Sequence, residues 1–138
     1  MKFLAALSLV ILAACAATSP AKAPIMARSP NALSGTWDVA MLYAPDTPPS
    51  ETVMELNLSP DGVLTGSFYG SPFEEAEFSV RGNVIAFGSV TSDSNAPYAH
   101  SGRLVDGKIE GQTLSFGRDF LMIWTATRRE DRPVARNK

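Results

Sequence analysis

Cysteine and histidine are scarce in this 138-residue chain, which contains one of each, Cys15 and His100. A single cysteine excludes an intramolecular disulfide. One cysteine and one histidine leave few side chains for a metal site or for a nucleophile paired with a base. The chain contains no HExxH or CxxC spacing, no nucleophile elbow and no phosphate-binding loop. We therefore expect a protein that is not an enzyme and that uses no metal and no cofactor.

The densest acidic cluster, Glu74, Glu75 and Glu77, does not change this expectation. Paired carboxylates can perform acid–base chemistry. Here, however, Glu75 and Glu77 alternate with the apolar residues Ala76 and Phe78. In a strand this alternation places both carboxylates on the solvent side.

Positive charge is also scarce in the central part of the chain. Residues 34–127 contain twelve acidic and four basic side chains, a net charge of −8. Nucleic-acid binding requires a basic face, so we expect no nucleic-acid partner. The last eleven residues contain five basic and two acidic side chains. We interpret residues 129–138 as a basic flexible tail.

Long apolar runs are missing as well, because the longest one, residues 3–14, is too short to cross a bilayer as a helix. This run follows the positive Lys2, a pattern typical of secretory signal peptides. Its end, Leu12-Ala13-Ala14-Cys15, resembles the lipobox of bacterial lipoproteins. The resemblance implies that residues 1–14 are removed and that Cys15 is acylated with fatty acids such as palmitate.

Residue 16 is alanine, where lipoproteins retained in the inner membrane often have aspartate. The resemblance therefore implies a lipid anchor in the outer membrane and a domain that faces the periplasm. An intermolecular disulfide or a free thiol is the alternative for Cys15. Residues 15–33 are rich in Ala, Ser, Thr and Pro and show no apolar periodicity. They predict a flexible tether between the lipidated cysteine and one folded domain at residues 34–128.

Within residues 34–128, apolar and polar residues alternate, and turn signals recur every 8–12 residues. Trp37, Val39 and Met41 alternate with polar or small neighbours, and Asp106-Gly107 is a strong hairpin signal. This pattern predicts an all-β domain of eight short consecutive strands. An eight-stranded antiparallel up-and-down barrel is the architecture that best protects the strand edges. A two-sheet sandwich fits the same pattern.

Short motifs resemble those of the calycin superfamily, which includes lipocalins and avidins. Gly35-Thr36-Trp37 opens the first strand as the Gly-x-Trp motif of that superfamily does, and Leu64-Thr65-Gly66 is similar to an avidin strand. Arg128 ends the last strand, where a lipocalin arginine lies across the tryptophan. The resemblance implies that Gly35, Trp37 and Arg128 close one end of the barrel, and it implies no particular ligand.

Strand parity predicts an aromatic interior that also contains His100. An eight-stranded barrel of this kind can hold one small ligand, although so many aromatic side chains favour a filled core over a deep pocket. We expect a small apolar or amphipathic ligand. The expected ligand-binding residues are Trp37, Tyr43, Phe68, Tyr98, His100 and Trp124. Phe78 is the other aromatic residue expected inside. The alternatives for His100 are a core histidine satisfied by a neighbouring tyrosine or backbone group, and an exposed histidine if the strand register is shifted by one residue.

The alternative function is a protein-interaction module with a filled barrel and no ligand. Such a module would inhibit a hydrolase or serve as an accessory subunit of an envelope complex. The expected contact regions are two loops, residues 43–52 and 92–97, or apolar side chains that point outward. Those outward side chains are Leu42, Val63, Leu121 and Ile123.

Overall fold

The structure is a computed structural model that describes residues 29–129. The predicted signal peptide, the lipidation site at Cys15 and the predicted tail from residue 130 onward lie outside the described residues. Within residues 29–129 the chain is all-β, apart from two short 3₁₀ helices at Pro30–Leu33 and Phe116–Arg118. Leu33, the last residue of the first 3₁₀ helix, is fully buried, so the packed unit includes the end of the predicted tether.

The part of the chain that the structure describes contains nine antiparallel strands in one sheet. They are β1 (Gly35–Leu42), β2 (Ser50–Leu58), β3 (Leu64–Phe68), β4 (Ser71–Pro72), β5 (Glu75–Arg81), β6 (Val84–Ser92), β7 (Pro97–Val105), β8 (Lys108–Ser115) and β9 (Phe120–Arg128). Their order across the sheet is β4-β3-β2-β1-β9-β8-β7-β6-β5. Every hydrogen-bonded neighbour except the β1–β9 pair is also consecutive in the chain, which makes this an up-and-down sheet.

The sheet is curled into a half-barrel, which differs from the predicted eight-stranded closed barrel in two respects. Eight strands occur where the alternation predicted them, and the ninth is the two-residue strand β4. In addition, the end strands β4 and β5 are not paired with each other. Strand β4 is short because it ends at Pro72, which has no N–H to donate.

The linker between β4 and β5 contacts both edge regions of the sheet. The N–H of Phe73 donates to the carbonyl oxygen of Gly66 in β3 at 2.9 Å, and the N–H of Glu74 donates to Val90 in β6 at 2.8 Å. All the paired strands belong to one sheet, so the sandwich alternative does not describe this molecule.

The hairpin between β7 and β8 shows how turn chemistry sets the register. Asp106 and Gly107 adopt φ values of 48° and 83°, as the two central residues of a type I′ turn do. The predicted Asp-Gly turn is therefore confirmed. The register it fixes places His100 opposite Thr113 across the two strands.

The concave face of the sheet carries the core, and its two ends differ. At the end where β1 starts and β9 finishes, apolar side chains such as Leu33, Trp37 and Ile109 are almost fully buried. We call this the packed end. The opposite end, formed by the loops at residues 43–49, 93–96 and 116–119, is the open end.

Candidate functional site

The open end contains a cavity of about 480 Å³ on the concave face. This observation contradicts the expectation of a filled interior, which holds only at the packed end. Strands β1, β3, β6, β7, β8 and β9 all contribute inward-facing side chains to the cavity. Its lining residues are Met41, Tyr43, Phe68, Tyr69, Ser71, Thr91, Ser92, Asp93, Tyr98, His100, Thr113, Arg118, Phe120 and Met122.

The floor of the cavity is polar, and His100 lies at its centre. The imidazole Nε2 is 2.9 Å from the Thr91 hydroxyl oxygen, and Nδ1 is 2.9 Å from the Thr113 hydroxyl oxygen. Thr113 also accepts the indole N–H of Trp124 at 3.0 Å. These residues meet because β6, β7, β8 and β9 are neighbours in the sheet and all four side chains point inward.

Burial lowers the pKa of His100 to about 4, because desolvation disfavours the charged imidazolium. Its side chain is almost fully buried and has no carboxylate partner among residues 29–129. The ring is therefore neutral at pH 7. A neutral imidazole has one donor and one acceptor nitrogen, so it can donate to one threonine hydroxyl and accept from the other.

Aromatic rings form the walls above this floor. The ring of Phe68 stacks on His100 at a centroid distance of 4.5 Å and lies 5.4 Å from the Trp124 ring. Phe120 lies 6.5 Å from Tyr43 and packs edge-on against Tyr98 at 6.3 Å. These rings give the cavity apolar walls over a polar floor, a combination typical of sites that bind small molecules.

The rim carries one ion pair. A guanidinium nitrogen of Arg118 lies 3.4 Å from the Asp93 carboxylate, and the same nitrogen donates to the Tyr98 hydroxyl. The backbone N–H groups of Asn95 and Ala96 donate to Asp93 and lower the pKa of its carboxyl group. Among residues 29–129, Arg118 is the only cationic side chain that lines the cavity, and it is already paired with a carboxylate.

The packed end has the arrangement that the Gly-x-Trp motif implied. The Arg128 guanidinium lies 4.4 Å from the ring centroid of Trp37 and donates hydrogen bonds to the carbonyl oxygens of Ala32 and Ser34. The indole N–H of Trp37 donates to the carbonyl oxygen of Leu33 at 2.9 Å.

Gly35 allows this close approach. It has a φ of 141°, and a Cβ atom there would lie 2.2 Å from Nη1 of Arg128. The structure thus contains the contact between Arg128 and Trp37 that the resemblance implied.

The structure brings together four of the six residues expected to bind a ligand. Phe68, Tyr98, His100 and Tyr43 line the cavity, although Tyr43 lies at the rim and is 55% exposed. Trp37 does not line the cavity, because it lies at the packed end beneath the Arg128 guanidinium.

Trp124 contacts the cavity floor through Thr113 and does not line the cavity itself. Phe78 packs only half-buried against the core, on the edge strand β5.

Sequence reasoning missed the two threonines of the floor and the thioethers of Met41 and Met122. Strand parity was the available signal for Thr91 and Thr113, since both lie on the inward parity of their strands. A buried polar residue on an apolar face is informative because it needs a hydrogen-bond partner.

A separate apolar surface lies on the convex face near the open end. Leu42 in β1 is directly opposite Ile123 in β9, and Leu121 is opposite the half-buried Leu114 in β8. The side chains of Leu42, Leu121 and Ile123 are 37%, 63% and 55% exposed. The outward positions of these three side chains confirm the strand-parity prediction. Together with Leu114 they form a surface that we call the outer patch.

Comparison with protein families finds no matching family model, and comparison with curated proteins finds no match. Among residues 29–129, no helix has the length and apolar character needed to cross a membrane. The same part of the chain contains no group of three or more His, Cys, Asp or Glu side chains arranged to hold a metal ion. Glu74, Glu75 and Glu77 are all exposed, as their alternation with apolar residues predicted.

Proposed function

We propose that the domain binds one small apolar or amphipathic molecule in the cavity at the open end. The observation that carries this proposal is the cavity of about 480 Å³ with aromatic walls and a polar floor. Drug-sized ligands occupy pockets of roughly 300–1,000 Å³ that are lined mostly by apolar and aromatic side chains with a few polar groups. The exposed side chains of Tyr43, Asp93 and Arg118 place the rim of the cavity at the protein surface, where a ligand can enter from solvent.

Filling the cavity should abolish binding. Met122 faces the cavity, whereas its neighbour Leu121 faces solvent on the other side of the sheet. Met122→Trp should weaken binding of N-phenyl-1-naphthylamine at least tenfold, because the indole occupies the ligand volume. Leu121→Trp is the matched control and should change binding less than twofold. Fluorescence titration of both variants and the parent protein measures the effect.

Absence of saturable binding to the parent protein would contradict the proposal. Equal affinity of all three proteins, with unchanged circular dichroism, would also contradict it by placing the dye elsewhere.

We also propose that acylated Cys15 anchors this domain to the outer membrane, where it faces the periplasm. Its support is the sequence of Lys2, the apolar run at residues 3–14 and the lipobox-like Leu12–Cys15, followed by Ala16. Two or more acyl chains on one cysteine suffice for stable anchoring, since one chain binds only marginally.

Cys15→Ala should eliminate incorporation of radiolabelled palmitate. It should also release the domain into the soluble fraction or leave an uncut precursor. Thr18→Ala, three residues further on, should leave both labelling and fractionation unchanged. Persistent membrane retention of the Cys15→Ala protein without any acyl label would refute the lipid anchor.

The outer patch supports a second candidate function, that of a subunit that contacts another envelope protein. Exposed apolar side chains gathered on adjoining strands form contact surfaces more often than scattered ones do. Under this alternative, Leu121→Ser combined with Ile123→Ser should eliminate a specific cross-linked species in intact cells and leave dye binding unchanged. An identical cross-linking pattern in the double variant would exclude the outer patch as the contact surface.

A further inference from the structure

The floor of the cavity contains a linear hydrogen-bond chain with a defined beginning. The indole N–H of Trp124 can only donate, and it donates to the Thr113 hydroxyl oxygen. The Thr113 hydroxyl then contacts Nδ1 of His100, and Nε2 of His100 contacts the Thr91 hydroxyl. Four groups are thus joined by three contacts, and no other hydrogen bond involves either threonine hydroxyl within residues 29–129.

Counting hydrogens shows that this chain has one donor too many. With a neutral imidazole, Trp124, Thr113, His100 and Thr91 each contribute one polar hydrogen, and three contacts can use only three of them. If Nε2 carries the imidazole hydrogen, the unused hydrogen belongs to Thr91. If Nδ1 carries it, the unused hydrogen belongs to Thr113. Both threonines line the cavity, so either tautomer leaves one hydroxyl donor for a group inside it.

A donor left unused at a buried site is costly. Thr91 and Thr113 are 4% and 2% exposed, and a buried donor without a partner has lost its hydrogen bond to water and gained none in return. The floor of the cavity therefore has one hydroxyl donor that no other group among the described residues accepts.

The charges around the cavity disfavour anionic ligands. The cationic side chain at the rim, Arg118, is paired with Asp93, and residues 34–127 carry a net charge of −8. An anionic ligand would find no unpaired cation among the lining residues and would enter against this negative potential.

We propose that the floor binds the acceptor oxygen of a neutral amphipathic molecule, such as a ketone, ester or ether, with its apolar part between the aromatic walls. This inference rests on the proposed ligand-binding function and specifies which chemical group of the ligand the site recognises. The carbonyl oxygen accepts the surplus hydroxyl hydrogen, and the rings of Phe68 and Phe120 contact the hydrocarbon.

Three nine-carbon probes test the inference by displacement of N-phenyl-1-naphthylamine. They are 2-nonanone, a neutral acceptor; nonane, which has no polar group; and nonanoate, an anion. Without a donor in the cavity, nonane should bind most tightly, because it is the most hydrophobic of the three. We expect nonanoate to bind most weakly, and we expect the surplus hydroxyl to raise the affinity of 2-nonanone relative to that of nonane.

Variants of the two threonines test the donor itself. Thr91→Val and Thr113→Val each keep the shape and remove one hydroxyl. The variant that removes the surplus hydroxyl should weaken 2-nonanone binding about fivefold to tenfold and leave nonane binding unchanged. Thr91→Ser retains the hydroxyl and should retain most of the 2-nonanone affinity. Thr125→Val, on the outer face of β9, is the control for a threonine-to-valine change and should have no effect.

The probe experiments distinguish failure of acceptor recognition from failure of ligand binding itself. If neither Thr91→Val nor Thr113→Val weakens 2-nonanone binding relative to nonane binding, recognition of an acceptor is refuted while binding in the cavity stands. If nonanoate binds most tightly, recognition is anionic and the inference is again refuted. If neither the dye nor any probe binds, the proposed function fails together with the inference.

Discussion

Trp37→Ala should lower the free energy of unfolding by about 3–5 kcal/mol, as truncations of large buried aromatic residues do. The Trp37 side chain is 1% exposed, donates to the Leu33 carbonyl oxygen and lies beneath the Arg128 guanidinium. Its loss leaves a cavity at the packed end and removes the ring on which Arg128 lies. Urea denaturation, followed by circular dichroism, measures the change.

The arginine contribution to the packed end can be measured separately. Arg128→Met should cost about 2–3 kcal/mol, because two partly buried carbonyl oxygens lose a charged donor and the contact with the indole is lost. Arg103→Met is the matched control. Its ion pair with Glu110 is exposed on both sides and should contribute less than about 1 kcal/mol. Equal effects of the two arginine substitutions would contradict the closure of this end by Arg128.

Gly111→Ala should cost about 2–3 kcal/mol, the range expected for overpacking inside a well-filled core. A Cβ atom at Gly111 would lie 2.3 Å from two ring carbons of Trp124 and 2.6 Å from the carbonyl oxygen of Ser101. The indole must therefore move, and its hydrogen bond to Thr113 at the cavity floor should be lost. We expect weakened probe binding together with the loss of stability.

Gly88→Ala provides the control for a glycine inside a strand. A Cβ atom there would meet only the carbonyl oxygen of His100, at an ordinary distance of 3.7 Å. Removing a glycine from an unfolded chain is itself stabilising by roughly 0.4–1 kcal/mol, so Gly88→Ala should be neutral or slightly stabilising. If the substitutions at Gly88 and Gly111 cost the same, the close packing of Trp124 against β8 is wrong.

Local patterns predicted the strands well because each strand has one buried face. The alternation of Trp37, Val39 and Met41 indicates β1 without any knowledge of its neighbours, and the Asp106-Gly107 turn sets the β7–β8 register by itself. The contact between Arg128 and Trp37 could also be predicted. Alternation along β9 places Arg128 on the same face as Trp124, and β9 is paired with β1, which carries Trp37.

Closure of the sheet and the cavity depend on distant parts of the chain, which alternation does not encode. The end strands stay apart because β4 has only two residues, a length that no periodic pattern reveals. Whether aromatic side chains fill an interior depends on the curvature of the sheet and on which end each ring occupies. Trp37 and Tyr43 both lie on β1 or just beyond it, yet the first is sealed in the packed end and the second is exposed at the rim.

The two indole N–H groups allow the central claim, ligand binding in the cavity at the open end, to be tested in one experiment. Trp124 donates to Thr113 at the cavity floor, whereas Trp37 donates to Leu33 at the packed end. In a ¹⁵N-edited NMR titration with 2-nonanone, the Trp124 indole signal, assigned with a Trp124→Phe variant, should shift saturably, and the Trp37 signal should stay in place. An unmoved Trp124 signal at saturating probe, or equal shifts of both signals, would contradict binding in this cavity.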